Sequence, residues 1–522
     1  MNLPELAESA LERLGEQVTL DFEGQLYTNL QMMEWSQRLQ GALTRLGLGR
    51  GDFAVMCLIT HPMVFSVFGG IFRTGATAVP VMSMLAAPEL RYVLMDTKAK
   101  CVFTDPFSLE KVREAAKGLD HVKWLVVVEG QSDAELANPE YALDDLLQEQ
   151  PTETLPPISE EDEALILYTS GTTGKPKGAI LTHANLLASA KAVSMAAQLD
   201  QWKGRHITVS SMPMAHIFGV GVMNSGYLTP KHLADAYCAI MTRFDAEEFM
   251  KLIQHHQATV IPAVPTILAV ILSHPKVDEY DLSSLKEVIC GAAPLPVEVA
   301  KAFSERFGCR VREIYGQTEG TGIGSANYPS DSYRPGSAGK AYPNHEIMIV
   351  DDHDRPLPPG ERGEIAIRGP AVMKAYLNRP EETAAILLNG WLHSGDIGYL
   401  DEEGFLYVCD RMKDMIIRGG ENIYPAELEG IIHEYPGVAE AAVIGEPDPV
   451  YGESVTAFVV PMPGKSLDAQ AVIDHVKRKT APFKAPKKVT FVEALPKSAV
   501  GKILKRELRE LAIKEADKRQ TN

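Results

Sequence analysis

The sequence predicts an α/β protein with a large N-terminal domain of mostly parallel sheets and helices, a small barrel-like subdomain, and a small α+β C-terminal domain. Three observations carry this prediction. Short apolar runs alternate with helix-patterned stretches over about the first four hundred residues, which implies strand, crossover and strand with helices on the sheet faces. After about residue 345 the texture changes to short strands joined by Gly/Pro turns, closer to an antiparallel or barrel-like unit. Beyond residue 410 strands and helices alternate again in a compact stretch.

"FAVMCL" (53–58), "ATAVPV" (76–81), "CVFT" (101–104) and "WLVVV" (124–128) read as buried strands, and "APELRYVLMD" (87–96) has helical spacing with Pro88 near its start. The pattern continues through "EALILYT" (163–169), "HITVSSMP" (206–213), "ATVIPAV" (258–264), "EVICG" (287–291) and "VREIYG" (311–316), with helices over 183–197 and 296–307. "EIMIVDD", "GEIAIRG" and "GFLYVCD" are the short strands of the third stretch. The charged, Gly-containing segment "DRMKDMIIRGGENIYP" (410–425) marks the boundary, and the spacing divides the chain into 1–409, a junction at 410–413, and 414–522. No internal repeat or low-complexity segment interrupts it.

Composition bounds the function. Asp and Glu number 69 against 51 Lys and Arg, a net charge of −18, which argues against a nucleic-acid partner and against broad adhesion to anionic membrane. An acidic surface also repels anionic substrates, so lysines inside loops carry weight. The six cysteines (57, 101, 238, 290, 309 and 409) show no CxxC pair or metal-ligand spacing, as expected of free thiols in a reducing compartment. The N-terminus lacks a basic segment and an apolar core, so it does not read as a signal peptide, and no run is long enough to span a bilayer. These features predict a cytoplasmic protein without a transmembrane segment, and leave peripheral membrane contact and a homodimer open.

"YTSGTTGKPKG" (168–178) joins a β-rich run to "AILTHANLLASAKAVSMAA", read as a strand remnant and a helix capped near Thr182. A Gly-rich turn can aim backbone N–H groups at phosphate oxygens, with hydroxyls and lysines adding donors and charge; a solvent loop is the bland alternative. It is not a Walker A loop, because only Thr172 and Thr173 separate Gly171 from Gly174 and Pro176 follows Lys175.

With "PMAHIFG" (213–219), "GAAPL" (291–295), "YGQTEG" (315–320), "HSGDIG" (393–398), the 410–425 segment and "PKSAVGK" (496–502), this loop resembles the adenylate-forming superfamily of acyl-CoA synthetases, peptide-synthetase adenylation domains and luciferases. The resemblance covers essentially the whole chain. It implies activation of a carboxylate by ATP and Mg²⁺ to an acyl-adenylate, release of pyrophosphate, and transfer of the acyl group to the thiol of coenzyme A. Both reactants are anionic and the carboxylate is already ionised, so catalysis is mainly charge neutralisation and alignment.

By that resemblance Thr169, Ser170, Gly171, Thr172, Thr173, Gly174 and Lys177 cradle the β- and γ-phosphates. Glu319, with Thr172, holds Mg²⁺, and Thr318 donates to the α-phosphate. Tyr315 and Gly316 face the adenine from one side, with Gly291, Ala292 and Ala293 on the other. Asp396 accepts from the ribose hydroxyls, and Arg411 adds a second ribose contact. Lys502 bridges carboxylate and α-phosphate, then withdraws as the mobile C-terminal domain swings about a hinge at Lys413. Gly419 and Gly420 then offer bare backbone to the pantetheine path, and His216 flanks the carboxylate and the thiol.

The expected acyl pocket draws on 216–228, 260–270, 291–295 and 320–324, with Phe218, Val222, Val264, Ala292 and Gly320 as wall residues; Gly219, Gly221 and Gly322 leave room for a chain. These segments hold no Arg or Lys for a second carboxylate and no Asp for an amino-acid ammonium. A medium- or long-chain fatty acid is the first expectation, and an aromatic acid of the benzoate or cinnamate type the second. CoA is the expected acceptor because no carrier domain is fused; an acyl-AMP ligase loading a carrier protein is a further alternative. Luciferase-like oxidation or a non-catalytic nucleotide-binding module would be different classes on the same fold.

Overall fold

The computed structural model describes residues 1–131, 138–169, 176–233, 235–332, 334–448, 450–462, 464–497 and 503–520, with side chains through residue 512. Two large sheets form its first half. The eight-stranded sheet runs in the order Ala375–Tyr376, Lys177–Thr182, Glu163–Thr169, Thr77–Val81, Phe53–Cys57, Cys101–Thr104, Trp124–Val127 and Glu140–Ala142. From Glu163–Thr169 to Glu140–Ala142 neighbouring strands are parallel. Their apolar runs fit that placement, since strands buried on both faces need no polar alternation; Thr77–Val81 and Cys101–Thr104 are buried at every residue.

The nine-stranded sheet places Ile207–Ser210, Val260–Ala263, Glu287–Cys290 and Arg310–Tyr315 side by side in parallel. An antiparallel hairpin, Val18–Phe22 with Gln25–Thr28, extends one edge beyond Tyr237–Ile240. Because the four parallel strands are in register, their C-terminal ends lie together, and the turns at 291–295 and 316–320 emerge there, as expected for a site on an open α/β sheet. Helices His183–Ala196 and Ile217–Gly226 pack together. Thr182 caps the first, its Oγ1 accepting from the Asn185 N–H at 3.2 Å.

The strand expected as a remnant between the phosphate-loop motif and the helix at Thr182 is longer than that expectation. Lys177–Thr182 is a full strand paired antiparallel with Glu163–Thr169. The helix begins only after Thr182. Lys177 and Gly178 at the strand's start masked it as loop.

Beyond residue 345, Glu346–Val350, Gly363–Arg368, Leu387–Leu388, Trp391–Leu400 and Leu406–Arg411 form an antiparallel sheet. A last sheet of Ile416–Arg418, Glu421–Ile423, Val438–Asp448, Gly452–Pro461 and Lys488–Phe491 carries helices Pro425–His433, Ala469–Lys479 and Lys505–Gln520. Arg509 pairs with Asp414 at 2.9 Å and Lys505 with Glu429 at 2.8 Å, fastening the last helix to this unit. All six cysteines are free thiols. Among the described residues no helix is long and apolar enough to cross a membrane.

Gly339 sits where the nine-stranded sheet meets the third sheet: its carbonyl accepts from the Leu406 N–H at 2.7 Å, and its φ is +85°. A Cβ there would overlap the Ala326 carbonyl. Gly339→Ala is expected to destabilise the fold by about 2 kcal/mol or more, from left-handed backbone strain plus steric overlap, read as a lower denaturant midpoint.

Candidate active site

A cleft of about 2330 Å³ opens at the C-terminal ends of the parallel strands. It runs from the His183–Ala196 and Ile217–Gly226 helices, past the 315–322 turn, to Asp396, Arg411 and the helices beyond residue 424. At its centre is the Glu319 carboxylate, which is 9% exposed. Its Oε1 accepts from the Tyr376 hydroxyl at 2.6 Å and from Thr169 Oγ1 at 3.2 Å. The three residues come from a short 3₁₀ turn, a two-residue edge strand and the end of Glu163–Thr169, so one carboxylate ties three elements. Burial and the neighbouring carboxylate push the Tyr376 phenol far above its ordinary pKa, which keeps it a donor. Lys177 Nζ stands 5.2 Å from the centre of the Tyr376 ring.

Gly316 permits this turn. A Cβ on it would overlap the Gly322 carbonyl. Thr321 closes the 3₁₀ turn with φ +52°, its N–H donating to the Thr318 carbonyl at 2.9 Å.

A second constellation lies on the third sheet. Asp396 and Arg411 are cross-strand partners, with Arg411 Nε 3.6 Å from Asp396 Oδ1. The Tyr315 hydroxyl donates to Asp396 Oδ2 at 2.7 Å, and burial holds that phenol protonated. The turn before Asp396 is set by Glu364, which accepts from the Gly395 N–H at 2.9 Å and lies 2.8 Å from His393 Nδ1. His216 caps the Ile217–Gly226 helix, its Nδ1 accepting from the Phe218 N–H at 3.2 Å. That hydrogen bond leaves Nδ1 without a proton and places the ring proton on Nε2.

The structure brings together on the cleft wall Thr169, Lys177, His216, Phe218, Val222, Ala292, Ala293, Tyr315, Gly316, Thr318, Glu319, Asp396, Arg411 and Lys413. Ala292 is held at φ +69°, outside the usual range for a side-chain-bearing residue. Ser170, Gly171, Thr172, Thr173, Gly174 and Lys502 lie outside the described residues, although Ile503, Leu504 and Lys505, which follow Lys502, line the cleft. Gly291 and Gly320 sit behind the wall, and a Cβ on Gly291 would press on Ile314.

Val264 is a correction: it is 8% exposed and belongs to the core behind the sheet, while Val260, Pro262, Pro265 and Thr266 face the cleft. Gly419 and Gly420 form an exposed hairpin turn, φ +62° and +88°, away from the cleft. Arg312, outside the segments expected to form the pocket, also reaches the cleft wall. Sequence reasoning missed Tyr376, Glu364 and Glu313. Burial raises the Glu313 carboxyl to about 7 on the wall beside Leu295. No local pattern marks Tyr376, which meets Glu319 across 57 residues of chain.

The AMP-binding enzyme family model matches residues 7–377, and the AMP-binding enzyme C-terminal domain model matches 427–502. The chain belongs to the AMP-binding enzymes. It is an AMP-forming acid–thiol ligase whose substrates are a carboxylic acid, ATP and CoA. The ligase is 34% identical to a long-chain-fatty-acid–CoA ligase of Bacillus subtilis, over 97% of this chain and 93% of that one. It is 35% identical to a feruloyl-CoA synthase of Amycolatopsis, over 93% and 94%. Among solved structures, an anthranilate CoA ligase in complex with anthranoyl-AMP superposes with a TM-score of 0.89 at 27% identity, over 98% of this chain and 97% of that one. MatB of Rhodopseudomonas palustris, 28% identical, gives 0.87 in its ATP-bound structure and 0.76 in its apo structure, each over 98% of this chain and 99% of that one.

Tyr376→Phe in the ligase removes a hydrogen bond to a buried carboxylate. It is expected to lower kcat/KM for ATP by about tenfold or more with little change in melting temperature, measured by pyrophosphate release. An unchanged kcat/KM would mean that Glu319 needs no such anchor.

Proposed function

We propose that the ligase activates an elongated carboxylic acid with an apolar body, a medium-chain fatty acid in the first instance, and transfers it to CoA. The observation that carries this is the inner part of the cleft, where Val193, Ala196, Ile289, Ile314, Ile323 and Ala326 form an apolar chamber continuous with the Glu319 site. The named relatives act on both aliphatic and aromatic acids, and both shapes suit an apolar chamber.

Glu319 is suited to Mg²⁺. Its Oε1 is anchored by two hydroxyls, Oε2 accepts from no described residue, and an oxygen donor matches a hard cation. Among the described residues no group of three His, Cys, Asp or Glu could form a protein cage, which fits an ion bound largely through substrate phosphates. When bound, Mg²⁺ would neutralise charge on the phosphates. Thr172 is proposed as its second protein ligand.

The other roles follow the constellations. Asp396 keeps an oxygen toward the cleft for the ribose while Tyr315 and Arg411 fix its orientation. Thr318 reaches the α-phosphate, and Gly316 with Gly291, Ala292 and Ala293 borders the adenine. The phosphate turn, Thr169 to Gly174 with Lys177, holds the terminal phosphates. The His216 Nε2–H donates toward the acid, orienting it without removing a proton. A carboxylate oxygen then attacks the α-phosphorus, pyrophosphate leaves, and the CoA sulfur later displaces AMP from the acyl carbon.

Lys502 is proposed to bridge the two anions in the first step. The better superposition on ATP-bound than on apo MatB supports reading the present domain arrangement as the adenylating one. In that arrangement Gly419 and Gly420 face outward, and rotation about Lys413 would bring them to the pantetheine path. Lys502→Ala is expected to abolish acyl-AMP formation and to spare thioester formation from supplied acyl-AMP; equal loss in both half-reactions would refute the assignment. A pyrophosphate-coupled panel from acetate to palmitate, with benzoate and cinnamate, should show the highest kcat/KM among medium-length acids, with turnover dependent on CoA. A maximum at acetate or benzoate would overturn the elongated-acid reading.

A further inference from the structure

Asp396 does not sit on a regular stretch of strand. Glu364 pairs with Ile397 and Ala366 with His393, so Ile365 alone stands opposite Ser394, Gly395 and Asp396, and Trp391–Leu400 bulges there. Gly395 makes the turn at φ +69°. A bulge takes backbone donors off the ladder, and those that water does not reach need other partners. Side chains supply them here. The Glu364 carboxylate accepts from the Gly395 N–H at 2.9 Å, and Ser394 Oγ accepts from the Asp396 N–H at 3.1 Å.

The two acceptors are not equivalent. Ser394 lies within the bulge and moves with it, whereas Glu364 belongs to Gly363–Arg368 and ties the bulge to the neighbouring strand. The second Glu364 oxygen lies 2.8 Å from His393 Nδ1, at the foot of the same bulge. Among the described residues Glu364 pairs with no lysine or arginine, so both of its oxygens are committed to this segment.

The consequence falls on Asp396, which is 8% exposed on the cleft wall. Tyr315 and Arg411 orient its side chain, but the backbone that carries it is set by the bulge. A carboxylate recognises two neighbouring hydroxyls only while both oxygens stay within hydrogen-bond reach, and a shift of ~1 Å forfeits that. Resting on the assignment of Asp396 to the ribose, we propose that Glu364 is a positioning residue for the nucleotide sugar. By pinning the bulge at Ser394, Gly395 and Asp396 it sets the preference of the ligase for a ribonucleotide over a deoxyribonucleotide.

The test is calorimetric and needs no acid. AMP, 2′-deoxy-AMP and 3′-deoxy-AMP are titrated into wild type, Glu364→Met and Glu364→Asp. Wild type should bind AMP about tenfold tighter than at least one deoxy analogue. Glu364→Met keeps the side-chain length but offers no acceptor, and should bring that ratio to about twofold or less, chiefly by weakening AMP. Glu364→Asp, whose oxygens stop one methylene short, should fall between the two. A ratio that survives in Glu364→Met, whether or not all three nucleotides bind more weakly, marks a merely structural role and overturns the inference while leaving the ribose reading of Asp396 in place. Should Glu364→Met not fold, an undiminished ratio in Glu364→Asp overturns it. Equal affinity of wild type for all three nucleotides overturns the ribose reading and the inference with it.

Discussion

Everything about this site depends on holding one carboxylate correctly aimed inside a largely buried cleft. The Glu319 carboxylate accepts from two hydroxyls, Thr169 and Tyr376, which fix its direction. The same hydrogen bonds stitch the two large sheets together, because Thr169 and Tyr376 belong to the eight-stranded sheet and Glu319 to the turn beyond the nine-stranded one. Cohesion between the sheets and placement of the reactive anion are therefore one structural fact.

A second dependency follows from strand register. Parallel strands whose ends coincide deliver the 291–295 and 316–320 turns to one rim, while the same strands, followed inward, deliver Ile289 and Arg312 to the chamber. The rim turns and the inner wall of the cleft are thus two levels of one sheet. Their separation is fixed by residue rise along a strand and not by loop conformation.

Much of this was legible in the sequence. Parallel strands buried on both faces announce themselves as apolar runs, and the observed bounds of Phe53–Cys57, Cys101–Thr104 and Glu163–Thr169 follow the runs closely. Thr182 with Asn185 gave the helix start. What escaped were contacts between residues far apart in the chain. "KAYLN" reads as an unremarkable stretch until the edge strand pairs with Ile180 and turns Tyr376 onto Glu319. Arg312 in "VREIY" looks like a solvent-facing strand charge; only its partner Glu287, 25 residues earlier, makes its burial tolerable. The Lys-Gly start of Lys177–Thr182 hid a strand because strand propensity is decided by neighbours and not by composition.

Among the described residues, the hydrogen bonds and ion pairs that cross from the adenylation sheets to the last unit converge on one helix end. Asp410 accepts from the Ala426 N–H at 2.7 Å, and Arg362 lies 4.0 Å from Glu427 with its guanidinium over the Tyr424 ring. A carboxylate against the first turn of a helix is a directional clasp, set by the N–H it accepts from and by the helix dipole. Loss of that one charge–dipole contact would weaken the seam while leaving the apolar cores on either side untouched.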